Sequence, residues 1–80
     1  MSTYRIKLLW SDGSDVTDAY VRLYCHGSGG WTGTQQASWG EAVVDTVGFG
    51  KADVYLKRHG KEQLVGNVPG PGSYTVTVRS

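Results

Sequence analysis

Polar and apolar side chains alternate with a period of two along most of this chain of 80 residues. In the run Tyr4–Trp10 the apolar residues recur at every second position, with Arg5 and Lys7 between them. A period of two puts successive side chains on opposite faces of an extended strand, whereas a helix needs apolar residues three or four apart. Each such run predicts a strand with one buried face. The residues predicted to face inward are Tyr4, Ile6, Leu8 and Trp10; Val21, Leu23 and Cys25; Ala42 and Val44; Ala52, Val54 and Leu56; and Tyr74, Val76 and Val78.

Turn-forming residues separate these runs at short intervals, and twelve glycines leave little room for a helix. The glycine-rich segment 26–40 predicts a mobile loop that ends in a short strand near Thr34–Ser38. The letters "HGK" predict a hairpin into a strand at 62–65, and "GNVPGPG" predicts a connection. The chain, residues 1–80, is thus predicted to form one all-β domain, an antiparallel two-sheet sandwich of six or seven short strands.

Composition narrows the classes of partner. Eight basic and seven acidic residues leave a formal charge of +1, so no electrostatic footprint for nucleic acid or a membrane surface is expected. The cluster Lys57-Arg58-His59 with Lys61 is interpreted as a solvated hairpin tip. A single cysteine cannot form an intrachain disulfide, and no leader or long apolar run is visible, so a cytoplasmic location is expected.

Three stretches together resemble the carboxypeptidase-regulatory-like or transthyretin-like domains, small sandwiches related in form to immunoglobulin-like modules. They are "DGSDVTDAYVRLY", a turn followed by an alternating strand; "SWGEAVV", a turn with Gly40 into a strand; and "PGPGSYTVTV", similar to the closing strand of that family. The resemblance implies a sandwich that serves as an accessory, adhesive or scaffolding module.

One branch of that family is enzymatic. The transthyretin-like hydrolases of purine breakdown end in a Tyr-Arg-Gly-Ser motif and use paired histidines. This chain ends in Thr77-Val78-Arg79-Ser80, without the tyrosine and the glycine. The resemblance therefore does not extend to catalysis, and we expect no enzymatic activity.

Two segments carry residues that bind metals in other proteins. The stretch "WSDGSDVTDAY" spaces Asp12, Asp15 and Asp18 by three, but it lacks the glycine and the glutamate that a calcium loop needs, so a turn is favoured over an ion site. The adjacent Cys25 and His26 point to opposite faces of a strand and cannot easily share a zinc ion. We predict a buried thiol, an exposed imidazole, and no metal or other cofactor.

The aromatic residues are the best candidates for binding. Trp31 and Trp39 lie in or beside the glycine-rich segment, and an indole exposed there can stack on a sugar or anchor a protein partner. For Trp39 we favour an inward position that plugs an open end of the sandwich, and Trp10 is assigned to the edge of the core. For Trp31 both positions stay open. The candidate ligand-binding residues are Trp31, Trp39, Tyr20, Tyr24 and Tyr55.

The expected function is that of a non-catalytic module that binds a protein partner or its own copies, since a small sandwich exposes edge strands and buries little surface alone. The alternative is a carbohydrate-binding module that uses the aromatic residues as platforms. A hydrolase of the transthyretin-like kind comes third.

Overall fold

The computed structural model of the protein describes residues 1–79, which contain eight strands and no helix. The strands are β1 (Ser2–Trp10), β2 (Tyr20–Cys25), β3 (Gly30–Trp31), β4 (Gln35–Gln36), β5 (Glu41–Thr46), β6 (Ala52–Arg58), β7 (Lys61–Val68) and β8 (Gly72–Val78). The predicted all-β class is confirmed, but the structure has eight strands instead of the predicted six or seven, because the two-residue β3 forms within the segment predicted to be a loop.

Two sheets bury one face each against the other. The smaller sheet has the order β5-β1-β8, and the larger has the order β3-β2-β6-β7, with β4 also paired to β2. All neighbours are antiparallel except β1 and β8, which run parallel. Alternation along a strand does not reveal its direction, so this parallel pair was not predicted.

The predicted inward residues form the core. All of them are buried except Trp10 and Tyr74, which are partly buried and pack against it. Four residues outside the predicted sets complete it: Val16, Ala19, Ala37 and Val68. Val16 joins the core because its N–H donates to the Leu8 carbonyl, and this bond folds the segment after β1 back over the sheet.

The segment "GNVPGPG" was predicted to be a connection throughout, which is wrong for its first three residues and for Gly72, where β8 begins. Gly66, Asn67 and Val68 continue β7, with Asn67 opposite Asp53 and Val68 opposite Ala52. The strand stops where the first proline removes a backbone donor. The register shifts between Val54 and Tyr55, and Val65 is the extra residue of this bulge.

The glycine-rich segment after β2 packs against the connection between β5 and β6. Ser28 forms an isolated bridge with Phe49, whose N–H donates to the Ser28 carbonyl at 3.3 Å. A Cβ atom on Gly48 would lie 2.8 Å from the Ser28 carbonyl oxygen and 2.9 Å from Cys25 Sγ. Glycine is required here because the two segments of the backbone approach too closely for a side chain to fit between them. We call this contact of residues 27–30 with residues 47–50 the glycine clasp.

The side chain of Tyr4 connects the glycine clasp to the core. It is fully buried, and its hydroxyl donates to the Gly50 carbonyl at 2.7 Å. Burial, the larger cause, and the neighbouring Cys25 thiol raise the pKa of Tyr4 from 10.0 to about 12. The hydroxyl therefore stays protonated, and able to donate, well above the ordinary pKa of tyrosine.

We predict that Gly48→Ala lowers the free energy of unfolding by about 1–3 kcal/mol, because the added methyl group overpacks the clasp. Gly33→Ala is the matched control, since no atom lies within 4 Å of a Cβ atom at Gly33. Its unfolding free energy should change by less than about 0.5 kcal/mol. Urea unfolding measures both. Equal stability of the two variants would contradict the clasp.

A second prediction concerns Tyr4. The unfolded chain ionises this tyrosine near pH 10, whereas the folded domain holds the proton to about pH 12, so stability should be lost as the pH rises through this window. Tyr4→Phe should remove this part of the pH dependence and, at neutral pH, cost about 1 kcal/mol for the lost hydrogen bond. Urea unfolding at several pH values compares the two proteins. If the unfolding free energies of the wild type and Tyr4→Phe fall in parallel as the pH rises, Tyr4 is not the source of the pH dependence.

Candidate functional site

Four of the five candidate aromatic residues lie on the outer face of the larger sheet. Tyr20 and Tyr24 point outward from β2 because Val21, Leu23 and Cys25 point inward. Trp31 on β3 is directly opposite Tyr24. Tyr55 on β6 is opposite Arg22. We call Tyr20, Arg22, Tyr24, Trp31 and Tyr55 the aromatic face.

Trp31 is the centre of this group. Its ring centroid lies 4.9 Å from that of Tyr55 and 5.1 Å from that of Tyr24, with interplanar angles of 57° and 69°. These tilted and edge-on arrangements are favourable for aromatic pairs. Trp31 is nevertheless 45% exposed and Tyr20 is 49% exposed. The group is thus ordered by its own contacts and still open to a partner.

Arg22 connects the indole to an acidic residue. Its guanidinium carbon lies 4.0 Å from the Trp31 ring centroid, a cation–π contact. Its Nε and one terminal nitrogen each lie 2.7 Å from a carboxylate oxygen of Glu62, so the pair is bidentate. This hydrogen bonding lowers the pKa of Glu62 and raises that of Arg22. The planar guanidinium is thereby fixed over the indole.

A second polar pair borders the aromatic face. His26 Nε2 lies 2.8 Å from Asp53 Oδ2, and the His26 ring is edge-on to Tyr24 at 5.2 Å. The imidazole is exposed and Cys25 is buried, as predicted.

Backbone contacts hold Trp31 in place although β3 has only two residues. The next residue, Thr32, donates its N–H to the Leu23 carbonyl at 2.9 Å, and its hydroxyl accepts from the Leu23 N–H at 3.0 Å. The side-chain hydroxyl replaces a bond of the sheet ladder, so the indole remains anchored at the edge of β2.

The inward position predicted for Trp39 is wrong. Trp39 is 84% exposed, at the tip of a two-residue turn closed by two backbone hydrogen bonds between Ser38 and Glu41. Trp39 and Gly40 have φ values of 55° and 77°, the left-handed pair that the tightest hairpin turns require. This turn directs the side chain to solvent, and within residues 1–79 no ring contact joins Trp39 to the aromatic face.

The segment "WSDGSDVTDAY" contains the predicted turn. Asp12 Oδ1 accepts from the Ser14 N–H at 2.9 Å and from the Ser14 hydroxyl at 2.6 Å, and Trp10 and Ser14 are joined through their backbones. These bonds lower the pKa of Asp12. Among the described residues, no three His, Cys, Asp or Glu side chains gather as a metal site would require.

Arg22 was not among the candidate site residues, although the alternation along β2 puts it on the same face as Tyr20 and Tyr24. The sequence pattern could have identified Arg22 as a site residue, because it lies between two outward tyrosines. The partner Glu62 could not be found in this way, since it reaches Arg22 from β7 across the intervening strand β6.

The sequence matches no protein-family model and no curated protein at a significant level. In the part of the chain that the structure describes, no helix could cross a membrane.

We predict that Arg22→Gln raises the pKa of Glu62 towards its ordinary value, because it removes the donors that stabilise the carboxylate. NMR titration of the carboxyl carbon measures the shift. Arg5→Gln is the control, since the Arg5 guanidinium lies on the other sheet and pairs with Glu41 at 3.3 Å. An unchanged pKa of Glu62 in Arg22→Gln would contradict the bidentate pair.

Proposed function

We propose that this domain is a non-catalytic interaction module that binds a second copy of itself through the aromatic face. The observation that carries the proposal is Trp31, which Tyr24, Tyr55 and Arg22 hold in place while 45% of it stays exposed. Tryptophan, tyrosine and arginine are the residues that most often dominate binding energy in protein interfaces. Their fixed geometry also reduces the entropy lost on binding.

Charge balance supports a second copy as the partner. The outward side chains around the aromatic face include two basic residues, Arg22 and Lys57, and two acidic residues, Asp53 and Glu62. A face that carries both signs in equal number can meet its own copy without net repulsion. Arg22 and Glu62 already neutralise each other, so their burial leaves no isolated charge.

The size of the domain also favours association. Its accessible surface is 4709 Å². One side of a standard interface buries about 800 Å², roughly a sixth of this surface. So small a domain buries a limited core alone, and a dimer would add to it.

A second route to self-association is the free edge of β8. Its seven residues, Gly72–Val78, carry no charge. The other edges have features that discourage pairing: β5 carries Glu41 and Asp45, β7 has a bulge and begins with Lys61 and Glu62, and β3 and β4 are two residues long. Two β8 strands can therefore pair in an antiparallel manner with threonines on their outer face.

Carbohydrate binding is the remaining alternative. A sugar platform needs aromatic faces that a flat ring can cover together, whereas Trp31 is tilted from its neighbours by 57° and 69°. These angles favour a protein ligand over a sugar.

We also propose that the domain is related to the carboxypeptidase-regulatory-like or transthyretin-like domains. The three motifs that carry this resemblance lie on β2, β5 and β8 with their preceding turns.

The test is sedimentation of the wild type and two tryptophan variants at concentrations from micromolar to millimolar. We expect a dimer for the wild type and for Trp39→Ala, but a monomer for Trp31→Ala, because only Trp31 belongs to the aromatic face. Trp39→Ala is the matched control, since it removes an even more exposed indole. Circular dichroism checks that each variant folds.

Thr75→Lys separates the two routes, because a lysine on an edge strand disfavours pairing. If Thr75→Lys abolishes the dimer and Trp31→Ala preserves it, the dimer interface is the β8 edge and not the aromatic face. A wild type that stays monomeric at millimolar concentration would overturn self-association. Saturable binding of an oligosaccharide that is lost in Trp31→Ala would favour the carbohydrate alternative.

A further inference from the structure

One end of the sandwich is closed by a charged residue. The inward rows of β1 and β6 end in Trp10 and Arg58, which come from opposite sheets. The guanidinium carbon of Arg58 lies 4.6 Å from the Trp10 ring centroid. Arg58 is half-buried, so its interpretation as part of a solvated hairpin tip is wrong. It follows Ala52, Val54 and Leu56 in the inward alternation, and a guanidinium occupies the place of the next apolar side chain.

A cavity of about 820 Å³ opens at this end, which we call the mouth. Trp10 provides its apolar wall, with the buried Leu56 beneath it, and Arg58, Lys61 and Arg79 bring positive charge from three different segments. Asp12 is the one carboxylate among its lining residues, and Asp12 Oδ1 already accepts two hydrogen bonds from Ser14. The mouth therefore combines a flat apolar wall with an excess of cationic groups.

These cations are not neutralised within the described part of the chain. Arg58, Lys61 and Arg79 take part in none of the ion pairs formed among residues 1–79. Arg58 Nε is buried and has no hydrogen-bond partner there. A buried donor without an acceptor is costly and uncommon in folded proteins, more so when it is charged. Arg22 on the aromatic face has the same contact with an indole, but Glu62 satisfies its Nε.

We propose that the mouth binds a small organic anion. Its carboxylate or phosphate oxygens would accept hydrogen bonds from Arg58, Lys61 and Arg79, and a flat apolar group would lie against Trp10. The guanidinium fork suits both kinds of oxyanion. The volume of about 820 Å³ is within the range of pockets for small ligands.

The experiment titrates the wild-type protein with three probes: 2-naphthoate, inorganic phosphate and 2-naphthylmethanol. Calorimetry measures affinity, and NMR follows the indole N–H of Trp10 and the Nε–H of Arg58. We expect 2-naphthoate to bind more tightly than phosphate, because only it also covers the apolar wall. The neutral alcohol tests the need for charge and should not bind. A naphthoate affinity that falls as salt is added would agree with an ionic contact.

Arg58→Gln should weaken naphthoate binding by about tenfold or more, since it removes a charge-assisted contact. Lys61→Gln and Arg79→Gln should each weaken it less, and because both residues are exposed these variants test the site even if Arg58→Gln fails to fold. Arg5→Gln, on the outer face of the other sheet, is the control and should bind as the wild type does.

Three results would overturn the proposal. The first is no saturable binding of naphthoate or phosphate at millimolar concentration. The second is binding that Lys61→Gln and Arg79→Gln leave unchanged. The third is equal binding of naphthoate and 2-naphthylmethanol, which would mean that the mouth takes an apolar group without regard to charge.

Discussion

The inward row of β1 is the element on which the rest of the structure depends. β1 is the central strand of the smaller sheet, and its inward side chains belong to the core that the two sheets share. The row begins with Tyr4, whose hydroxyl fixes the glycine clasp, and it ends with Trp10, which lies over Arg58. Between them Ile6 and Leu8 are completely buried. One alternating strand thus determines how both ends of the sandwich are closed.

Much of the fold could be predicted because alternation reports directly on burial. The buried apolar residues of β2, β5 and β6 were identified one by one, since a side chain on a strand has only two faces to occupy. Features that depend on which strands pair could not be predicted from the sequence. The parallel direction of β8 and the continuation of β7 to Val68 are set by partners distant in sequence.

The candidate site was predictable in part for the same reason. Tyr20, Tyr24 and Tyr55 are outward because their neighbours are inward. The positions of the tryptophans depend on local backbone geometry instead: Trp39 takes a left-handed conformation in a tight turn, and Trp31 is held through the bonds of Thr32 to β2. Arg58 was misjudged because its charge suggested solvent, whereas its place in the alternation of β6 pointed inward. The pattern of positions was the better guide there than the chemistry of the residue.

The pairing of β1 with β8 has a consequence for the order in which the chain can fold. From Tyr4 to Trp10, each residue of β1 is paired with a residue 68 positions later, as Tyr4 is with Gly72. Closing so long a loop costs conformational entropy before the contacts compensate for it, and topologies dominated by distant pairings fold slowly. Of the two neighbouring strands of β1, β5 is synthesised first, so β1 can pair with β8 only after the rest of the described chain has been made. We therefore expect completion of the smaller sheet to be a late step of folding.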